Sequence, residues 1–152
     1  MVSARVRLGV TPIGQKRGSE MKLLIAFGTD DGENLNNDHV GMAKYFHVYE
    51  FFNDREQLVE RRENVPFKGD ESVHGDPEKA KATSSVLEGV DVLVGRKFGP
   101  NLPRLVKKFV CVLVRTETIT RAIEAIRHNM DRIAEEKSRE GERTHIVLKP
   151  PR

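Results

Sequence analysis

Asp38-His39-Val40-Gly41-Met42-Ala43-Lys44-Tyr45-Phe46-His47-Val48-Tyr49-Glu50 is the most informative stretch of this chain. Residues 45–52 have the aromatic and β-branched composition of a β-strand. His39 and Gly41 come just before this strand, at a junction between loop and strand where a side chain can face a ligand instead of the core. Gly41 permits backbone angles or close approaches that a Cβ would forbid. The stretch therefore predicts a strand with a candidate binding residue at its start.

A second signal lies downstream, where the apolar run 92–94 enters the loop Gly95-Arg96-Lys97-Phe98-Gly99-Pro100-Asn101. A loop that follows a strand and precedes a helix is suited to anion binding, because backbone N–H groups and the helix dipole favour negative charge there. The loop matches neither a Walker loop nor a dinucleotide fingerprint. It also has the composition of an ordinary helix start, so both roles are expected of it.

Hydrophobic periodicity predicts the remaining elements. The predicted strands are 22–28, 45–52, 57–64, 91–94, 109–114 and an edge strand at 144–148, and the predicted helices are 77–88, 100–108 and one long helix from Thr118 to about Ala134. Strands 45–52 and 57–64 are expected to form a hairpin, since a short turn-like segment joins them. The order β-ββ-α-β-α-β-α favours an α/β fold of three layers, with a mixed sheet between helices.

Length and composition limit the class of protein. With 152 residues and no internal repeat, one domain is expected. No apolar run approaches the roughly 20 residues of a membrane span, and no secretory signal is recognisable, so we expect a cytoplasmic protein without a membrane contact. The single cysteine, Cys111, fits a reducing compartment and lies in an apolar run, where it is expected to be structural.

The net charge of +3 resides in the first twenty residues. This segment holds Arg5, Arg7, Lys16 and Arg17 against Glu20, and the rest of the chain is neutral. The chain therefore lacks the basic domain expected of a protein that binds nucleic acid, and we expect no such partner. A local excess of positive charge remains between residues 91 and 117, where an electropositive rim for an anionic ligand and a solvated helix face are both open interpretations.

Three segments are expected along the chain. Residues 1–20 form a disordered or non-native leader, residues 21–149 form the α/β domain, and residues 150–152 form a tail. Within the domain, residues 66–77 are predicted to be a long loop of the kind that is often functional, and Asp76 is predicted to cap the helix that follows.

In order and spacing, the histidine–glycine motif and the glycine-rich loop resemble the dinitrogenase iron–molybdenum-cofactor-binding domain family, the small domains of nitrogenase cofactor assembly and their stand-alone relatives. The resemblance extends over roughly residues 21–134. It implies a ribonuclease-H-like topology, whose mostly parallel sheet has its second strand antiparallel to the rest. It also implies a non-catalytic domain that transiently binds or transfers an iron–sulfur or iron–molybdenum-type cluster, or another anionic metal species.

The resemblance also implies a set of site residues. Members of the family usually show His-Phe-Gly where this chain has His39-Val40-Gly41, so the aromatic residue is replaced. His39 is expected to be a metal ligand, with His74 as an optional second ligand. The expected cofactor-binding residues are His39, Gly41, Gly95, Arg96, Lys97, Gly99 and Asn101. The site is predicted where segments 29–41, 95–101 and 66–77 converge.

The chain lacks a set of closely spaced cysteines, so one chain cannot hold a cluster through four thiolates. A cluster would be bound through few protein ligands, by anion contacts or between chains, in a monomer or weak homo-oligomer that meets cofactor donor or acceptor proteins. One alternative is a metal-independent regulatory or interaction module. Another is a two-metal nuclease of ribonuclease-H-like fold, which the absence of acidic residues in 22–28 disfavours. His47, His128 and His145 are expected to be structural or inert.

Overall fold

A seven-stranded sheet forms the centre of the protein in a computed structural model, whose described residues are 5–7, 22–53, 55–65 and 77–151. The strands are β1 (Arg5–Arg7), β2 (Lys22–Thr29), β3 (Tyr45–Phe52), β4 (Arg55–Glu63), β5 (Val92–Gly95), β6 (Val110–Val114) and β7 (Ile146–Leu148). Their order across the sheet is β1-β4-β3-β2-β5-β6-β7. Strand β3 runs antiparallel to both neighbours, whereas β2, β5, β6 and β7 are mutually parallel.

This arrangement confirms the predicted α/β class, the mixed sheet and the antiparallel second strand of the domain. It follows from connection length: a short turn joins β3 to β4 as a hairpin, whereas parallel neighbours need longer crossovers that contain helices. The predicted edge strand near the end of the chain is confirmed as β7, which pairs with β6.

Helices cover both faces of the sheet. The helices are α1 (Pro77–Val86), α2 (Leu102–Leu105), α3 (Ile119–Arg127) and α4 (Met130–Lys137), with short 3-10 turns at Val40–Met42 and Gly99–Asn101. Alternate residues of the strands enter two separate apolar clusters, as shown by Phe27 in one cluster and Ala26 in the other. The first cluster includes residues of α3 and α4, and the second includes residues of α1 and α2, which confirms the three layers.

The prediction of one long helix after Thr118 is wrong, because the helix breaks at residues 128–129. The hydroxyl of Thr118 caps α3 as expected, by accepting a hydrogen bond from the Arg121 amide at 3.1 Å. At the other end, the side-chain amide of Asn129 donates to the Ala125 carbonyl at 2.8 Å, while its backbone amide donates to the Ile126 carbonyl. Such bonds compete with helix propagation, so α4 begins as a new helix.

Residues 5–7, which lie in the segment expected to be a separate leader, form an edge strand that pairs antiparallel with β4. The other residues of that segment, the predicted loop 66–76 and Asp76 lie outside the described residues. Whether residues 1–20 are separable from the domain therefore stays a prediction. No helix among the described residues is long and apolar enough to cross a membrane.

Candidate functional site

The two motifs meet at the carboxyl ends of the parallel strands β2 and β5. The two strands pair in register from Ile25 opposite Val92, so the loops that follow them leave the same edge of the sheet. The backbone N–H of Val40 donates to the Lys97 carbonyl at 2.8 Å, which joins the histidine motif directly to the glycine-rich loop. The structure therefore brings together two of the three segments that were predicted to converge, and the third lies outside the described residues.

His39 is partly exposed, and its imidazole lies against the backbone of Gly99. A Cβ on Gly99 would stand 2.4 Å from His39 Nδ1 and 2.5 Å from Cε1, so no larger residue fits there without moving the ring. Gly99 also has a φ of +73°, which residues with side chains rarely adopt. The glycine thus serves two purposes, since it turns the chain and makes room for the histidine.

A buried asparagine, Asn36, sets the path of the backbone that carries His39. Its side-chain amide donates to the carbonyl oxygens of Asp38 and His39, at 3.1 and 2.9 Å, and its own N–H donates to Gly28 at 3.1 Å. Gly28 is required because a Cβ there would stand 2.9 Å from Asn36 Oδ1. Gly28 and Asn36 were not identified from the sequence. The available signals were a glycine near the end of a strand and an asparagine in the loop that follows it.

Close packing also accounts for the two other glycines of the predicted site. A Cβ on Gly41 would lie 3.0 Å from Thr83 Oγ1 and 3.3 Å from Lys79 Cε, both on α1. Gly95 is in a similar position against Val40. Lys79 is only 3% exposed, so a buried lysine packs beside the histidine motif, and the sequence pattern did not indicate it. Gly41 and Gly95 therefore shape the site by allowing neighbouring side chains to pack against the backbone.

The polar residues of the predicted site differ in exposure and in their hydrogen bonds. Lys97 is exposed, whereas the Arg96 guanidinium is hydrogen-bonded to the side chain of Asn37. Asn101 is 5% exposed, and its Oδ1 accepts from Arg104 at 3.1 Å, so this residue orients a cation. The helix behind the loop, α2, has only four residues. Because few peptide dipoles add up along it, side-chain cations matter more here than the predicted helix dipole.

A cavity of about 260 Å³ opens beside this junction, between the loop after β2 and Arg96. Its lining includes three carboxylates, Asp30, Asp31 and Glu117, against the single guanidinium of Arg96. Hydrogen bonds from Asn34 and Glu33 lower the pKa of Asp31 to about 2, so it is ionised at neutral pH. The net negative lining of this cavity disfavours an anionic ligand.

The described residues alone do not supply enough donor atoms to hold a metal ion permanently. Within the ranges that the structure describes, no group of three or more His, Cys, Asp or Glu residues could hold a metal ion. His74, the predicted second ligand, lies outside those ranges. Burial raises the pKa of the Cys111 thiol to about 12, and its side chain is inaccessible, so it offers no thiolate. The residues present fit a single histidine ligand with cationic and backbone contacts.

Comparison with known proteins gives one positive result. The sequence model of the family described as dinitrogenase iron-molybdenum cofactor matches residues 21–129. The matched residues include both motifs, strands β2 to β6 and helices α1 to α3. No curated protein matches the chain.

Proposed function

The chain belongs to the dinitrogenase iron-molybdenum cofactor family, and from this premise we propose that it binds an iron–sulfur or iron–molybdenum-type cluster, or another anionic metal species, transiently and without catalysing a reaction. The bound species is cargo that a donor protein supplies and an acceptor protein removes. His39 supplies a ligand nitrogen, and Lys97, with Arg96 of the same loop, offsets the negative charge.

The contact between His39 and Gly99 is the observation that carries this proposal. It places an imidazole, which is a sound ligand for iron, directly on the loop that bears Arg96 and Lys97. Gly99 leaves room for this ring, so the imidazole lies at a defined place beside the loop. The bond between the Val40 amide and the Lys97 carbonyl joins the two segments, so the backbone that carries His39 and Lys97 is held together before any cargo arrives.

A site with one histidine ligand supports exchange better than permanent storage. Clusters that proteins keep are held by several thiolates, and the described residues offer neither such a set nor three grouped ligands of any kind. With few bonds to break, release to an acceptor is fast. The remaining coordination positions on the metal species would be filled by its own sulfides, by solvent or by the partner protein.

Two anaerobic uptake experiments test this proposal. The protein is incubated with ferrous iron and sulfide, or with tetrathiomolybdate, then desalted and measured by metal analysis and absorption spectroscopy. We expect wild type to retain metal, and His39→Ala to lose it while its circular dichroism spectrum and melting temperature stay unchanged. Lys97→Gln should bind tetrathiomolybdate about threefold to fivefold more weakly, as expected for one exposed charge.

His145→Ala is the matched control, since this exposed histidine lies in the loop before β7, at the opposite edge of the sheet. It should retain as much metal as wild type. Equal uptake by wild type and His39→Ala would exclude His39 as the ligand. No uptake by wild type, with binding to a partner protein retained, would instead favour the alternative of a metal-independent regulatory or interaction module.

A further inference from the structure

A second candidate site is a groove of about 490 Å³ between α2 and the segment that connects α4 to β7. It lies at the end of the sheet opposite the His39 site. The groove is lined by Pro103, Val106, Lys107, Arg139, Gly141, Glu142 and Arg143. Residues 106–109 lead into the amino end of β6, and residues 138–145 lead into the amino end of β7. The His39 site lies at the carboxyl ends of the parallel strands, so the two sites are separate.

The charge of the groove is uneven. Lys107, Arg139 and Arg143 line it against one carboxylate, Glu142. Arg139 is paired with the buried Glu136, whose Oε2 accepts from Arg139 Nε at 3.0 Å, so part of its charge is neutralised. Lys107 is exposed, and the Arg143 guanidinium donates to the Lys137 carbonyl at 3.4 Å and also attracts the Glu136 carboxylate. Lys107, Arg139 and Arg143 together still outnumber the two carboxylates, Glu136 and Glu142, so the groove keeps a net positive charge.

The wall of the groove is held in place by the same buried carboxylate. Glu136 is 5% exposed and accepts hydrogen bonds from both Arg139 and the Thr144 backbone amide, the latter at 3.1 Å. These two bonds tie down both ends of the segment 139–144. Although burial raises it, the hydrogen bonds from Arg139 and Thr144 lower the pKa of Glu136 overall, so the carboxylate stays ionised at neutral pH.

An apolar surface lies between the cations. Val106 is partly buried and packs on the apolar cluster beneath α2, and Pro103 is exposed beside it. We propose that this groove binds a small organic anion, whose apolar body lies on Pro103 and Val106 and whose acidic group is bound by Lys107 and Arg143. The volume suits such a ligand, since small-molecule sites span about 300–1,000 Å³. A protein partner would instead need about 800 Å² of contact on each side, far more than seven lining residues provide.

A pair of probes tests the proposal: 1-anilinonaphthalene-8-sulfonate, which carries a sulfonate on an apolar body, and neutral N-phenyl-1-naphthylamine, which lacks the charge. We expect saturable fluorescence enhancement with the sulfonate at physiological salt. Lys107→Gln and Arg143→Gln should each weaken sulfonate binding about threefold to fivefold and leave binding of the neutral probe unchanged. Lys108→Gln removes a neighbouring charge outside the groove and should change neither affinity.

Amide shifts in ¹H–¹⁵N NMR spectra locate the probe on wild-type protein without any substitution. We expect the sulfonate to shift Val106 and Gly141 and to leave Val40 and Gly99 unchanged. Shifts confined to the His39 region, or equal weakening by Lys107→Gln and Lys108→Gln, would overturn the proposal. So would an acidic apolar peptide that shifts Val106 and Gly141 when the sulfonate does not, because the groove would then be a protein-docking surface.

Discussion

Val40 lies directly against Gly95, and a Cβ on Gly95 would stand 2.8 Å from the Cβ of Val40. Val40 is fully buried, and its Cγ2 is equally close to the position of a Cβ on Gly28. A valine is therefore packed between two glycines near the carboxyl ends of neighbouring strands. This packing holds the histidine motif against the glycine-rich loop, and it allows the cost of losing the contact to be predicted.

Gly95→Ala should lower the free energy of unfolding by about 1–3 kcal/mol, because the new methyl group overpacks a buried site that cannot expand. Chemical denaturation measures the loss. Combining Gly95→Ala with Val40→Gly should restore part of the stability relative to the sum of the single changes, since the second change removes both obstructing atoms, the Cβ and Cγ2 of Val40. Strict additivity of the two effects would show that Val40 and Gly95 do not press on each other.

Gly99→Ala should displace the His39 ring and reduce the uptake of ferrous iron and sulfide. Gly89→Ala is its matched control, because Gly89 also has a positive φ, of 86°, but a Cβ there would meet no atom within 4 Å. Both substitutions carry a similar backbone strain, of about 1 kcal/mol, and should lower the melting temperature alike. Only Gly99→Ala should shift the His39 ring resonances. Normal uptake by Gly99→Ala would mean that the ring need not rest on residue 99.

His47 should titrate below its ordinary pKa of 6.5, chiefly because burial disfavours the imidazolium and secondly because Arg61 repels it, although Asp31 acts in the opposite direction. Since the pKa is lower in the folded protein, the unfolded chain binds the extra proton first. The stabilising contribution of neutral His47 is therefore complete above about pH 6.5 and is lost as the pH falls from there through the folded pKa. NMR titration should show Arg61→Gln raising the His47 pKa and Asp31→Asn lowering it. Shifts of the opposite sign would contradict this account.

Cys111 should not react with 5,5′-dithiobis(2-nitrobenzoate) in the native protein. Its side chain has no exposed surface, and burial raises the pKa of the thiol to about 12, so almost no thiolate forms at pH 8. In denaturant the thiol should react fully within the mixing time. Rapid stoichiometric labelling of the native protein would show that β6 opens to solvent far more often than a strand paired on both sides should.

The protein should show no nuclease activity that depends on a divalent metal ion. Two-metal catalysis needs clustered carboxylates. Asp91 accepts from the Leu24 amide at 2.9 Å and pairs with Lys137 at the amino end of β5, whereas Asp30 follows the carboxyl end of β2, about 20 Å away along the strand. Incubating single- and double-stranded DNA and RNA with Mg²⁺ or Mn²⁺ checks this. Cleavage that Asp30→Asn or Asp91→Asn abolishes would refute it.

The local sequence predicted the strands and most helices, because the signals that indicate them extend over only a few neighbouring residues. The apolar run of β6 and the alternation of β3 indicate how many faces of each strand are buried, and Thr118 marks the start of α3. The break at Asn129 cannot be predicted from hydrophobic periodicity, since the apolar stripe continues past it on α4. Asparagine's preference for bonding to nearby backbone, and not hydrophobic period, ended the helix there.

For the site, the sequence shows which residue types are available and in which loops they lie: a histidine two residues before a glycine, and a basic loop after an apolar strand. Which of these residues meet depends on how the strands and loops pack together. The ring of His39 rests on Gly99, Asn101 is turned inward to hold Arg104, and Lys79 is buried beside Gly41. The reason is physical: periodicity reports burial along one element, whereas these contacts join residues far apart in the chain, and their geometry depends on the parallel pairing of β2 with β5.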